Sequence, residues 1–275
     1  MQKVKFFLIL VMFIFLIVGC KKENVLPLQD GVLTVGMECA YAPFNWTTIT
    51  ETENSVPISG TNNFCDGYDV KVARILADSL DVKLEIKALP FESLIEALNV
   101  NDIDAIIAGM SPTAERKQTI AFTDVYYRSE QVVVVKKNGP YQNAKSVTDF
   151  SGARISAQLG TLQVNLIEQL TGAILHTPLD DYPLLVHALN SSDIDGFIAE
   201  VPVANQIINT NNNLTYVTLT EKAFVVDDSE VTIAIGLRKT DTDLLKQLNA
   251  TLKTITLLER EAWMEKFILA TTGEI

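Results

Sequence analysis

One short pattern occurs twice in the chain, and it limits the fold more than any other feature. Residues 97–109 read ALNVNDIDAIIAG and residues 188–200 read ALNSSDIDGFIAE, at a constant offset of 91. Each copy has the composition of a helix end, a polar turn and a short apolar strand. Two copies of a helix–turn–strand unit in one chain predict two similar lobes rather than a repeat array. The surrounding sequence alternates in the same way. Strands are expected at residues 32–37, 82–88, 105–108, 131–135, 154–157, 196–199 and 231–237. Helices are expected at 68–80, 91–98, 162–169 and 182–189, and with breaks over 242–268. Strand–helix alternation implies an α/β architecture with parallel sheets covered on both faces.

Composition narrows the function classes. The chain has 275 residues, 22 Lys+Arg against 34 Asp+Glu, and a net charge of −12. Phosphate recognition needs clustered Lys and Arg, so this balance argues against a nucleic-acid partner. Hydrophobic residues make up 48%, which excludes a disordered chain. The two histidines, His176 and His187, leave little material for a His-based metal site or triad. The three cysteines show no zinc-type spacing. Neither a metal nor a cofactor is expected.

The N-terminus is a separate module. Lys3 and Lys5 precede thirteen unbroken apolar residues, Phe6 to Val18. That run is shorter than the roughly 20 residues of a spanning helix and suits a secretory signal. It ends in Ile17-Val18-Gly19-Cys20, which resembles a bacterial lipobox, where the cysteine takes a diacylglycerol after cleavage. The competing reading is a membrane-anchor helix with an incidental cysteine. Residues 1–19 are thus expected to be a signal peptide and 20–30 a lipidated Cys20 with a polar tether. Cleavage would remove Lys3 and Lys5 and leave a net charge of −14. Once Cys20 carries lipid, Cys39 and Cys65 remain. A disulfide can persist outside the cytoplasm, so a Cys39–Cys65 bridge is expected, with two reduced buried thiols as the alternative.

Ligands of open α/β sheets sit beyond the carboxyl ends of the strands. That rule selects the residues ending each copy: Gly109, Met110 and Ser111 in one, Glu200 in the other. Arg116 follows the first group closely. Its planar fork matches a carboxylate, and hydroxyl or backbone N–H groups complete the shell. Glu200 suits an ammonium. Burying a zwitterion is costly unless both charges are paired. One lobe offering a cation and the other an anion therefore suits an amino acid.

With these residues in place, the chain resembles the type 3 extracellular solute-binding proteins, the amino-acid receptors of ABC importers. The likeness spans about residues 31–270. It rests on VGMECAYAPFNW (35–46), CDGYDVKVARILA (65–77), the long segment from LPFESL to TDVYY (89–127), ISAQLGT (155–161), LNSSDIDGFIAE (189–200) and IAIGLRK (233–239). The resemblance implies a periplasmic-binding-protein-like type II fold, with two α/β lobes joined by two crossovers and the ligand cleft between them. Lobe 1 would comprise 31–127 plus 231–275, and lobe 2 would comprise 128–230.

By position, the resemblance implies that Arg116 grips the ligand carboxylate with Ser111 and the Gly109 backbone. Gly160 and Thr161 would donate to it from lobe 2. Tyr41 and Phe91 would stack on the ligand side chain, and Glu38 would read it. Glu200 stands where the family usually has Asp for the α-amino group. A further departure is a long segment, 47–63, before the GYDV helix. The implied protein is a monomeric, lipid-anchored receptor outside the cytoplasmic membrane. It would close on an amino acid and deliver it to an ABC permease, with no enzymatic step. A basic ligand is favoured by Glu38 and the aromatic pair, with a neutral polar one such as glutamine close behind. A dehydratase-like enzyme on the same fold and a sensor or adhesion lipoprotein are the alternative readings.

Overall fold

The computed structural model describes Leu28 and residues 30–270. The expected signal peptide, Cys20 and most of the tether lie outside the described residues. Among the described residues, no helix is long and apolar enough to cross a membrane.

Two five-stranded sheets form the framework. In the first, the order is Lys83–Ala88, Val32–Met37, Ala105–Ile106, Gly236–Leu237, Ala121–Phe122. In the second, it is Ile174–Leu175, Arg154–Ser156, Gly196–Glu200, Gln131–Lys136, Leu214–Val217. The strand of each repeated unit is the central one of its sheet. In both sheets that strand pairs in parallel on one side and antiparallel on the other. The sheets are therefore mixed rather than parallel. The strands that lie antiparallel beside the two central strands, Gly236–Leu237 and Gln131–Lys136, follow the passages between lobes, and each enters its sheet from the other lobe.

The repeated sequence does the same local job twice. Asn101 and Ser192 occupy equivalent places and both adopt left-handed backbone, φ 64° and 69°. That conformation stops the helix and turns the chain toward the strand. Asp104 then accepts from Thr34 N at 3.0 Å, and Asp195 accepts from Arg154 N at 2.9 Å. Each aspartate ties its strand to the start of the neighbouring parallel strand.

The passages between lobes are Tyr127–Arg128 and Thr232–Ile233, which pair antiparallel. The expected single strand at 231–237 is thus two short strands, Thr232–Ile233 and Gly236–Leu237. It changes partner midway, from the other crossover to the first sheet. The expected broken helix is two helices, Thr242–Leu252 and Leu257–Ala270.

The helix Tyr68–Ser79 buries Val72, Ala73, Leu76 and Ala77, a stripe at helical spacing. Full burial of a side chain such as Leu76 contributes roughly 1.5–3 kcal/mol. The 47–63 segment is not an open loop. With its flanks it builds a four-stranded antiparallel sheet, in the order Ala40–Tyr41, Asn45–Thr48, Phe64–Asp66, Val56–Pro57. The Cys39–Cys65 disulfide is formed, with Cα atoms 5.7 Å apart. The C-terminal helix packs on this sheet through a Trp46–Phe267 edge contact, ring centroids 5.9 Å apart.

Candidate functional site

The carboxyl ends of the central strands face each other across a narrow cleft. From lobe 1 come Tyr41, Phe91, Gly109, Ser111 and Arg116; from lobe 2 come Thr161 and Glu200. Seven of the ten residues expected at the site therefore line one cavity. The other three are adjacent or turned away. Glu38 is half-buried behind Gln158, Gly160 is held through its backbone, and the Met110 side chain is packed into the core. The Met110 carbonyl instead accepts from Ala234 N on the second crossover strand segment, at 3.0 Å.

Arg116 sits in the short helix Ala114–Thr119, whose N-cap Thr113 accepts from Arg116 N. The guanidinium donates to Ser111 O at 2.9 Å and, across the cleft, to Gly160 O at 3.1 Å. It also lies over the Phe91 ring, 5.1 Å from its centroid. A cation on an aromatic face gains electrostatically from the ring quadrupole. Burial lowers the Arg116 pKa to about 10, against the pull of Glu115 and Glu200. It remains charged at neutral pH.

Glu200 ends its strand in the cleft floor and is buried. The Tyr41 hydroxyl donates to Oε2 from the opposite lobe, and Gln163 Nε2 donates to Oε1 at 2.8 Å. Burial pushes the Glu200 pKa up, and these hydrogen bonds hold it back. Tyr41 is itself sandwiched, 5.1 Å from both Phe44 and Tyr182 by ring centroids. A side chain at Gly109 would place its Cβ 2.5 Å from Tyr41 Cε1. The glycine therefore lets the loop backbone approach the ring, at a φ of 60° that itself favours glycine.

Glu38 follows the first strand. Gln158 Nε2 donates to both of its carboxylate oxygens at 3.0 Å. Desolvation raises the Glu38 pKa to about 8, with Asp181, Glu92 and Asp69 adding to the rise and Gln158 opposing it. Glu38, Asp181 and Glu92 thus gather carboxyl groups along this edge of the cleft.

Four cleft residues escaped the sequence reading: Gln158, Leu162, Gln163 and Tyr182. Gln158 precedes the Gly160-Thr161 turn and Gln163 follows it, so proximity to that motif was the available signal. Tyr182 opens a helix capped by Asp181, with nothing local to mark it as cleft-facing. The residues of the 47–63 segment do not line the cavity.

Two α/β lobes, two crossovers, and an interlobe cleft with a guanidinium on one wall and a carboxylate on the other define a two-lobed solute receptor of the type II periplasmic-binding-protein class. The chain belongs to the bacterial extracellular solute-binding proteins, family 3, whose family model matches residues 33–269. It is 31% identical over 226 residues to the arginine-binding extracellular protein ArtP of Bacillus subtilis, covering 80% of this chain and 79% of that one. It is 30% identical over 196 residues to the ABC transporter arginine-binding protein 1 of Escherichia coli, covering 71% and 78%. Among solved structures it is similar to an amino acid ABC transporter substrate-binding protein of Streptococcus pneumoniae bound to L-arginine. That match has a TM-score of 0.76 at 27% identity and covers 88% of this chain and 95% of that one.

Proposed function

We propose that the protein is an extracytoplasmic receptor that closes on a cationic amino acid and delivers it to an ABC permease, tethered by a lipid on Cys20. Lobe 1 is residues 31–127 with 231–275, and lobe 2 is residues 128–230. Arg116, with Ser111 and the Gly109 backbone, takes the ligand carboxylate, and Thr161 and Gly160 complete the grip from lobe 2. Glu200 takes the α-ammonium. Tyr41 and Phe91 flank the side chain, and Glu38 meets its positive end.

The carrying observation is the pairing of Arg116 and Glu200 on opposite walls of one cleft. A zwitterion satisfies both only when the lobes are closed, so the ligand favours closure by its differential contacts there. The acidic edge at Glu38, backed by Asp181 and Glu92, supports a cationic side chain over a neutral one. The arginine-binding names of two relatives agree. The reading needs no catalytic step.

Calorimetry against all twenty amino acids tests it. Arginine, with lysine or histidine, is expected to bind tightest. Exclusive binding of acidic ligands would overturn the side-chain assignment, and turnover of a cyclic dienol acid such as prephenate would favour the enzyme reading instead. Palmitate labelling lost in C20A would support the lipid tether.

A further inference from the structure

Behind the lobe 1 wall of the cleft lies a carboxylate that the binding scheme does not use. Asp69, in the first turn of the Tyr68–Ser79 helix, is fully buried. Among the described residues it has no cationic partner. Instead three neutral donors converge on it: Asn45 Nδ2 at 2.9 Å, the Tyr126 hydroxyl at 2.7 Å, and the Gly109 backbone N–H. A buried carboxylate without such donors would be strongly destabilising, so the arrangement is built around the charge.

Each donor belongs to a different part of the binding machinery. Asn45 passes the connection on, because its Oδ1 accepts from Cys39 N at 2.8 Å, between Glu38 and Tyr41. Cys39 has left-handed backbone, φ 52°, which this bond and the disulfide to Cys65 hold in place. Gly109 begins the loop that carries Ser111 and packs on Tyr41. Tyr126 immediately precedes the first crossover, and its own N–H bonds to Ile233 O on the second, at 2.9 Å. Asp69 thus joins both lobe 1 ligand loops to the hinge without touching the cleft.

We propose that Asp69 is a positioning residue of the binding site, whose buried carboxylate sets the 38–41 loop, the 109–111 loop and the first crossover in the arrangement that receives the ligand. This rests on the amino-acid-binding reading above. Protonation of Asp69, whose pKa desolvation raises to about 6, removes the charge these donors serve and turns one accepting oxygen into a donor, which only the Tyr126 hydroxyl among its partners can turn to accept. Loop geometry, and with it affinity, should fall as pH drops through that value. Of the ionisable groups facing Asp69, the Tyr68 phenol of its own helix and the Tyr126 phenol of the crossover are pushed up by burial and stay neutral there. Arg260 of the C-terminal helix acts on the Tyr68 phenol and lowers its pKa. Glu38 titrates higher, near 8. Glu200 in the cleft is also raised, so the Asp69 component is the part of the pH profile that vanishes in D69N.

Two measurements on the full chain test the proposal. The first is arginine calorimetry from pH 5 to 8 on the wild type and D69N. The second is amide exchange of the ligand-free proteins. D69N should bind arginine roughly tenfold more weakly at pH 7.5 and lose the acid-side fall seen in the wild type. Its Cys39 and Gly109 amides should exchange about tenfold faster, with the Val133 amide in the far sheet unchanged. Wild-type affinity in D69N with an unchanged pH profile would overturn the proposal. Should the wild type bind no arginine, the functional reading fails, and the exchange measurement alone decides: faster exchange at both loops supports the junction, and unchanged exchange refutes it. Should D69N not fold, Y126F removes one donor and leaves the charge; weaker arginine binding then supports the role, and unaltered binding overturns it.

Discussion

Gln158 of lobe 2 donates one amide nitrogen to both oxygens of Glu38 in lobe 1, each at 3.0 Å. The bond spans the cleft, so it forms only when the lobes are together. It also holds a carboxylate whose pKa desolvation has raised to about 8, so with the lobes together Glu38 is largely protonated at neutral pH.

That raised value has a sign for stability. An acid with a higher pKa folded than unfolded contributes most below its unfolded value, and the contribution is lost as pH rises toward the folded one. The unliganded protein should therefore lose stability between about pH 4.5 and 8, and E38Q should lose less. Thermal melts of both proteins across that window check the difference. A cation arriving beside Glu38 should ionise it, so arginine binding near pH 7 should release protons. Calorimetry in buffers of different ionisation enthalpy reads that release.

Arg116 joins Ser111 O, Gly160 O and the Phe91 face. Truncating one partner of a buried charge pair costs about 2–5 kcal/mol. R116A should therefore weaken arginine binding by roughly a hundredfold or more. R116K keeps the charge without the planar fork and should fall between the two. Titration calorimetry ranks the three proteins, and an R116A affinity equal to wild type would remove Arg116 from the site.

Glu200 reaches Tyr41 across the cleft and Gln163 within its own lobe. E200Q keeps the shape and loses the charge, so it should cost arginine affinity about as much as R116A. Y41F removes one hydroxyl and should cost only about 1 kcal/mol. Similar losses in the two variants would contradict the assignment of Glu200 to the ammonium.

Gly109 lies 2.5 Å, through a would-be Cβ, from the Tyr41 ring. G109A must both displace that ring and adopt left-handed backbone, which costs an L-residue roughly 1–2 kcal/mol. Urea titration should show a loss of at least that size, with weaker ligand binding alongside it.

The Cys39–Cys65 bridge closes a sequence separation of 26. In the chain-entropy model a loop of that size contributes about 3 kcal/mol. The C39S/C65S double variant should melt several degrees lower, and reductant should lower the wild type toward it. An unshifted melt would show that the four-stranded sheet alone holds this segment.

Much of the framework was legible locally. The repeated unit carries its own stop and turn, at Asn101 and Ser192, and its own clamp on the adjacent strand, at Asp104 and Asp195. Those effects act over a few residues or one strand spacing, so a linear pattern can carry them. The helix Tyr68–Ser79 was equally plain, because burial of Val72 and Leu76 at helical spacing leaves a periodic trace. The Arg116 and Glu200 positions followed from where each repeated unit ends.

Sequence alone determined the fold class, the doubling of the lobe and the opposite charges at the two strand ends. Tertiary structure decided the mixed sheets, the change of partner between Ile233 and Gly236, and which neutral residues face the cleft. Gln158 and Gln163 flank the Gly160-Thr161 turn but carry no pattern of their own, because a glutamine amide acquires a role only from the carboxylate set before it. Asp69 is the sharpest case. Its helix predicts only a first-turn acid, a surface role that favours the helix dipole. Folding instead buries it under three segments that are distant in sequence. The physical reason is that burial and hydrogen-bond convergence depend on the path of the whole chain, whereas periodicity and turn chemistry depend on near neighbours.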